Sequence, residues 1–328
     1  MDPNKTAALE RLIRAEHGNI AGLVVWQDGE QRYGQFFNGC TAQSRVHVYS
    51  VTKSVISILI GIALDRGELA GVRQPVLDFF PNYTVKREQS ALPELTLEHL
   101  LTMTTPYRYG LFPPYLPYFT SDDWAAFALG QVGRRERLGK FQYAPLIGPD
   151  LLSAILQKAT GRTVLGFAQE HLFEPLGITV ARSIVFETKE DQLAFNRATD
   201  VSGWAADARG LNPAGWGLTL SAEDMAKLGQ LYLDGGVWQG RRIVSSRWVE
   251  ESTREHARWQ RQNLPYGYLW WGDPAGAGSY AAMGDGGNVL YADPRRRLVV
   301  AIAALFAPRA KDRLALIQDH IVPLFAKA

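Results

Sequence analysis

The chain has 328 residues, 46% of them hydrophobic and 21% charged, which is an ordinary composition for a folded protein and excludes a disordered one. Its formal net charge of +2 is too small to indicate a nucleic-acid or anionic-membrane partner. Because Cys40 is the only cysteine, an intrachain disulfide is excluded.

The amino-terminal segment does not have the pattern of a signal peptide. Residues 1–22 are charged and have helical spacing, without the apolar core of a signal peptide. The longest apolar run, residues 55–64, is too short to span a bilayer and is interrupted by Ser57 and Gly61. We therefore expect a cytoplasmic protein that binds neither membranes nor nucleic acid.

The first part of the chain predicts a helix, a hairpin and a second helix. Residues 6–16 have helical spacing. Asp28 and Gly29 separate two β-rich runs and tolerate the positive φ of a tight turn, which indicates a hairpin. The helix that begins at Ser50 and ends near Gly67 is apolar on every side, so we expect it to run through the core.

Helices and loops are predicted between about residues 70 and 200. Residues 95–103 and 148–161 have helical spacing, and Gly161 is placed to end the second of these helices. Ser221 is a candidate N-cap for a later helix that ends at two glycines.

The carboxy-terminal part predicts a helix over residues 245–253, a closing helix from about Lys311, and β-strands between the two. The strands are bounded by Gly, Pro and Asp turns. They are predicted at residues 266–271, 279–284, 288–293 and 298–305.

Strands thus occur at both ends of the chain, with a helical block between them. This order predicts an α+β fold of the α/β-sandwich type, with an antiparallel sheet of about five strands built from both chain ends and flanked by helices. We expect residues 1–70 and 205–328 to form the sheet subdomain and residues 71–204 an inserted, mostly helical subdomain. The two make one catalytic unit with the site between them.

Ser50 and Lys53 are the residues that indicate chemistry. Positions three apart share a helix face, so the two side chains stand together on the first turn of the buried helix. Burial and the positive end of the helix dipole both favour the neutral amine of Lys53. A neutral amine beside a hydroxyl is a general base beside a nucleophile. The alternative is a helix cap with a lysine that extends to solvent.

Several motifs resemble, in the same order, those of the serine β-lactamase and penicillin-binding-protein-like hydrolases. The similarity is to the class C-like branch, which includes β-lactamases, carboxylesterases, D-amino-acid peptidases and 6-aminohexanoate-dimer hydrolase, and it extends over residues 36–305. The resemblance implies a β-lactamase/transpeptidase-like fold. The segments that carry it are YSVTKS at 49–54, LTLEHLLTMTT at 95–105, FQYAPLIGPDLLSAILQKATG at 141–161 and GDGGNVLYADPRRRLVVAI at 284–302.

The second of the three catalytic motifs is present in part. By the resemblance, Tyr143 is a second general acid/base that hydrogen-bonds Lys53 and protonates the leaving group. Its alternative is a core aromatic residue with a satisfied hydroxyl. The family pattern Tyr-x-Asn is broken because Pro145 stands at the Asn position and has no side-chain amide.

The third motif departs further from the family. Relatives often carry Lys-Thr-Gly or His-Thr-Gly here, whereas this chain has no lysine between residues 282 and 287. We expect the N–H groups of Asp285 and Ser50 to form an oxyanion hole, with Gly284 and Gly286 at the substrate. The Asp285 carboxylate is expected to repel a β-lactam carboxylate. A plain tight turn is an alternative, and both interpretations can hold.

The proline-rich segment 106–124 is aromatic. We predict that it forms a wall of the substrate pocket through Tyr107, Tyr109 and Phe112, and that Trp216 contributes. The alternatives are a loop that packs on itself and, for Trp216, ordinary core packing.

These features predict a serine hydrolase that acts on a small ester or amide through an acyl-enzyme, with no cofactor. The six histidines have no metal-ligand spacing, so we expect no metal. The altered second and third motifs argue against an efficient β-lactamase, which stays an alternative. Two others are a penicillin- or peptidoglycan-binding module that is acylated without turnover and a pseudoenzyme that uses the fold for assembly.

Overall fold

A computed structural model describes residues 3–109 and 113–325 and contains one large sheet with helices on both faces. The strands are β1 (Ile20–Gln27), β2 (Glu30–Phe36), β3 (Val46–His47), β4 (Arg182–Val185), β5 (Gly203–Ala206), β6 (Thr219–Leu220), β7 (Val237–Trp238), β8 (Arg241–Arg242), β9 (Ala257–Trp259), β10 (Leu264–Tyr266), β11 (Trp271–Gly272), β12 (Tyr280–Gly284), β13 (Asn288–Asp293) and β14 (Leu298–Ala304).

Most of the helices come after β2 and before β9 in the order of the chain. They are α1 (Pro3–Glu16), α2 (Val51–Asp65), α3 (Leu97–Leu101), α4 (Tyr115–Phe119), α5 (Trp124–Gly130), α6 (Asp150–Thr160), α7 (Val164–Ala168), α8 (Lys189–Arg197), α9 (Ala222–Leu233), α10 (Ser246–Thr253) and α11 (Arg313–Ala315). Helix α7 continues as a π-helical turn, and α11 continues through π-helical and 3-10 segments to Phe325. Within the described ranges, no helix has the length and apolar character needed to cross a membrane.

The large sheet has the order β2-β1-β14-β13-β12-β11-β10-β9, and its neighbours are antiparallel. The predicted fold class, with strands from both chain ends, is confirmed. The predicted count of about five strands is wrong, because the sheet has eight. One cause is Leu269, which has a φ of 64° and lies in a turn. This turn divides the strand predicted at 266–271 into β10 and β11.

Local sequence signals also account for the hairpin. Asp28 and Gly29 have φ of 55° and 81°, and Gln27 pairs with Glu30 across the turn, as predicted. Two features of the middle region were not predicted. The segment 106–124 contains the helix α4, and the block between residues 71 and 204 contributes to a parallel pair, β4 and β5. The division into two subdomains stays a prediction.

Side chains along the sheet strands point alternately into two hydrophobic cores, one on each face of the sheet. Leu23 and Val25 of β1 pack with α1 and the carboxy-terminal helix, whereas Val24 packs with α2 and α9 on the other face. Residues 51–63 of α2 are all buried, as the sequence predicted for a helix within the core. The first turn of α2 is therefore held on every side, which gives the residues at its start a rigid support.

Gly61 shows how closely α2 is packed. A Cβ at this position would lie 2.2 Å from the Trp248 ring, whose Nε1 donates to the Ser57 carbonyl at 3.0 Å. We expect Gly61→Ala to lower the free energy of unfolding by about 1–3 kcal/mol through overpacking. Urea unfolding measures this. Gly71→Ala, at a position with open space, is the control, and an equal loss in both variants would contradict the packing argument.

Candidate active site

Ser50 lies where the chain turns from β3 into α2. It is the N-cap of α2, with φ of −71°, and its side chain is at the edge of the surface, since 9% of the residue is exposed. Tyr49, just before it, has a φ of 48°, which is uncommon for a residue with a side chain. Its ring is held between His47 and Phe306, at centroid distances of 3.8 and 5.4 Å. This support stabilises the strained turn that presents Ser50.

Lys53 is buried beside Ser50, with 2% of the residue exposed. Its Nζ lies 2.7 Å from Ser50 Oγ and donates to the carbonyl oxygens of Pro145 at 2.7 Å and Gly215 at 2.9 Å. Carbonyl oxygens only accept, so they take the two hydrogens of a neutral amine and leave its lone pair for the Ser50 hydroxyl proton. The three contacts therefore suit an amine that accepts a proton from Ser50.

The electrostatic environment of Lys53 also favours the neutral form. Burial lowers the pKa of Lys53 to about 7, although the carboxylates of Asp285 and Asp150 act to raise it. A base whose pKa lies near neutral pH is both available and strong enough to take part in proton transfer.

Tyr143 also contacts the Ser50 side chain. Burial raises the pKa of the Tyr143 hydroxyl, and its contact with the Ser50 side chain acts in the opposite direction, so the phenol stays protonated near neutral pH. The predicted hydrogen bond from Lys53 to Tyr143 is wrong. The Lys53 hydrogens go to backbone carbonyls, and Lys53 Nζ instead lies 5.3 Å from the centre of the Tyr143 ring.

Pro145 takes part in the site through its backbone. The sequence showed that this position lacks the side-chain amide of the family motif. In the structure the Pro145 carbonyl accepts from Lys53 Nζ, so a main-chain oxygen makes a polar contact at this position.

Gly284 lets β12 come close to Ser50. A Cβ on Gly284 would lie 2.2 Å from the Val48 carbonyl oxygen and 3.2 Å from the Ser50 nitrogen, so only glycine fits. The turn that follows, Asp285–Gly287, begins beside the Ser50 backbone. It is anchored by the Asn288 side chain, which donates to the Asp285 carbonyl at 2.9 Å.

A residue distant in sequence also forms a hydrogen bond with this turn. Asn19 Nδ2 donates to the Gly286 carbonyl at 2.7 Å, and Gly286 has a φ of 77°. The Asp285 side chain is exposed, and among the described residues no cation lies within ion-pair distance of it. Its carboxylate acts on the pKa of both Lys53 and Tyr143, which places a negative charge near the two residues.

The aromatic residues predicted to line the pocket are mostly inside the protein. Tyr107 and Tyr109 are buried and stack on each other at 5.3 Å, and the Tyr109 hydroxyl donates to the Ile147 carbonyl. Trp216 is buried against other aromatic rings. This burial favours the alternatives, which are a loop that packs on itself for Tyr107 and Tyr109 and ordinary core packing for Trp216. Phe112 lies outside the described residues.

Asp150 is a polar residue near the site that the sequence analysis missed. It begins α6 and is 0% exposed. The Tyr118 hydroxyl donates to its Oδ2 at 2.7 Å, and the Ala214 N–H donates to its Oδ1 at 3.1 Å. The available signal was an acid directly before the apolar run LLSAIL, which is an unusual place for a charge in a buried helix.

Comparisons with known proteins identify the family of the chain. The sequence model of the family described as Beta-lactamase matches residues 9–320. The chain is 24% identical over 311 residues to the 6-aminohexanoate-dimer hydrolase of Paenarthrobacter ureafaciens, an alignment that covers 88% of this chain and 73% of the relative. It is 29% identical over 141 residues to Esterase EstB of Burkholderia gladioli, covering 39% and 36% of the two chains.

A solved structure supports the fold. A penicillin-binding protein homologue from Caulobacter crescentus superposes with a TM-score of 0.72 at 20% identity, over 99% of this chain and 98% of the other. At this identity the likeness shows a shared fold alone.

Proposed function

Because the chain belongs to the beta-lactamase family of hydrolases, we propose that it is a serine hydrolase that acts on a small ester or amide through an acyl-enzyme. The observation that carries the proposal is the buried contact of 2.7 Å between Lys53 Nζ and Ser50 Oγ. The carbonyls of Pro145 and Gly215 orient the amine so that its lone pair is free to accept the Ser50 proton.

Acylation begins with proton transfer. Neutral Lys53 takes the hydroxyl proton of Ser50 as Oγ forms a bond to the substrate carbonyl carbon, and the carbonyl electron pair moves onto oxygen. The N–H groups of Ser50 and Asp285 stabilise this oxyanion, because Gly284 brings the start of the turn beside the Ser50 nitrogen. Gly286, with its positive φ, shapes the same turn against the substrate.

Tyr143 acts when the intermediate collapses. It gives its hydroxyl proton to the leaving oxygen or nitrogen as that bond to carbon breaks, and a water molecule returns a proton to it from the Lys53 ammonium. Its contact with the Ser50 side chain supports this role. A water molecule then attacks the acyl carbon and gives a proton to Lys53, and Lys53 passes that proton to Ser50 Oγ as the bond from Oγ to the acyl carbon breaks and the acid leaves.

The altered motifs support an ester or amide substrate over a β-lactam. The third motif offers no lysine for a carboxylate, and the Asp285 carboxylate lies near Lys53 and Tyr143. The relatives include a hydrolase named for a 6-aminohexanoate dimer and an esterase. Family membership keeps a class C-like β-lactamase as the second candidate.

Parallel assays with a short-chain p-nitrophenyl ester and a chromogenic cephalosporin test this substrate preference. We expect kcat/KM for the ester to exceed that for the cephalosporin by about thirtyfold or more, since the cephalosporin carboxylate has no cation to meet and is repelled by Asp285. Ser50→Ala provides the background rate for both substrates. Faster opening of the cephalosporin would establish the β-lactamase, and stable labelling without product would establish a penicillin-binding module.

A further inference from the structure

The buried carboxylate of Asp150 has no part in the steps above, although it lies close to Lys53. Two residues, Ala214 and Gly215, lie between the two side chains. The Ala214 N–H donates to Asp150 Oδ1 at 3.1 Å, and the Gly215 carbonyl accepts from Lys53 Nζ at 2.9 Å. The Asp150 carboxylate and the Lys53 amine therefore form hydrogen bonds with two adjacent residues of one backbone segment.

The hydrogen bonds around Asp150 favour its ionised form. Trp216 Nε1 has only a hydrogen to offer and donates to the Tyr118 oxygen at 3.2 Å, so the Tyr118 hydroxyl hydrogen goes to Asp150 Oδ2. The backbone N–H of Ala214 is likewise a donor. Both carboxyl oxygens accept, as an ionised carboxylate requires. Burial raises the pKa of Asp150 to about 7, so the carboxylate form predominates above that pH.

We propose that Asp150 is the internal counter-ion of Lys53, which stabilises the ammonium that forms when Ser50 gives up its proton. The inference rests on the proposed serine hydrolase and extends it. Above pH 7 the resting pair is a neutral amine and a carboxylate, and proton transfer creates an ion pair inside the protein. Asp150 would thus serve Lys53 as the aspartate of a Ser-His-Asp triad serves its histidine, although it acts through space and through the Ala214–Gly215 backbone. It is a positioning residue, since it does not reach the substrate.

Other charged and titratable groups near the pair must be considered in any pH experiment. Asp285 also acts on Lys53, and Asp207 acts on Asp150, each as a carboxylate. The tyrosines that face the pair are Tyr143, Tyr118, Tyr107 and Tyr109. Burial raises the pKa of all four tyrosines, so Asp150 and Lys53 itself are left to define the acid limb of activity.

The test is the pH profile of kcat/KM for the ester. In the wild type it rises with pH through about 7, where Lys53 and Asp150 lose their protons as a coupled pair. The Asp150→Asn variant lacks the carboxylate that raises the pKa of Lys53. The acid limb therefore moves to lower pH by about half a unit or more. The plateau falls about tenfold or more, because the ammonium loses its counter-ion.

Two further variants make the result specific. Tyr118→Phe keeps the carboxylate but removes a donor that favours its ionised form, so the full plateau is retained and is reached only at higher pH than in the wild type. This variant also keeps the test open if Asp150→Asn does not fold. Asp293→Asn removes another buried carboxylate, one that accepts from Arg296 at the end of β13, and its acid limb stays in place.

The outcomes separate this inference from the proposed function. Two results for Asp150→Asn would overturn the counter-ion role and leave a structural one. The first is a lower plateau of kcat/KM with an acid limb at the wild-type pH, and the second is an acid limb at higher pH. Ester hydrolysis that survives Ser50→Ala would overturn the proposed hydrolase mechanism itself, whatever Asp150 does.

Discussion

Replacement of Ser50 by alanine is expected to lower kcat/KM for a short-chain ester at least about a thousandfold, because the variant has no oxygen to form the acyl bond. The side chain is small, and its contact in the protein is with Lys53 and Tyr143. The loss should therefore appear in kcat and not in folding. Steady-state kinetics and thermal unfolding of the same preparation measure the two effects.

Ser44→Ala is the matched control for this experiment. Ser44 lies before the site, and its hydroxyl accepts from the Thr41 N–H in a local turn. The control should hydrolyse the ester at the wild-type rate. If Ser50→Ala retains more than about a tenth of wild-type activity, another residue is the nucleophile and the proposed mechanism is wrong.

Replacement of Lys53 by methionine should be nearly as damaging. The variant keeps most of the side-chain volume but removes the base, so kcat/KM falls by about a hundredfold to ten thousandfold. The residual activity also loses the acid limb near pH 7 that the coupled pair of Lys53 and Asp150 gives the wild type. A kcat/KM profile from pH 5 to 9, measured for both proteins, separates this result from simple damage to the site.

Lys53→Arg and Lys189→Met complete the test of the base. Arginine keeps a positive charge but does not lose its proton, so it should be as inactive as methionine. Lys189, exposed at the start of α8, should tolerate methionine without a change in rate. An active Lys53→Arg variant would show that positive charge, and not a neutral amine, is what the reaction requires.

The features that the sequence predicted well are local ones. The helix that begins after Ser50, the Asp28-Gly29 hairpin and the Gly161 helix end each depend on a few neighbouring residues. The proximity of Ser50 and Lys53 is local too, because a spacing of three residues on a helix brings side chains together. Such signals are present in the chain before any tertiary contact forms.

The features that were missed depend on residues far apart in the sequence. The carbonyl oxygens that accept hydrogen bonds from Lys53 Nζ belong to residues 92 and 162 positions away in sequence. Backbone atoms are the same in every residue type, so the sequence does not indicate these contacts. Asp150 is joined to the site through Tyr118 and Ala214, which are also remote in sequence. Part of the error in the strand count comes from Leu269, which adopts a positive φ that its residue type does not predict.

Covalent trapping on Ser50 tests the central claim most directly. A p-nitrophenyl carbamate ester would acylate the enzyme and leave a carbamoyl group that water removes slowly. We predict release of one p-nitrophenol for each chain, loss of esterase activity, and the carbamoyl mass on the tryptic peptide 46–53, with none of these in Ser50→Ala. Esterase activity that continues unchanged, or a modification on another peptide that abolishes it, would contradict the acyl-enzyme mechanism.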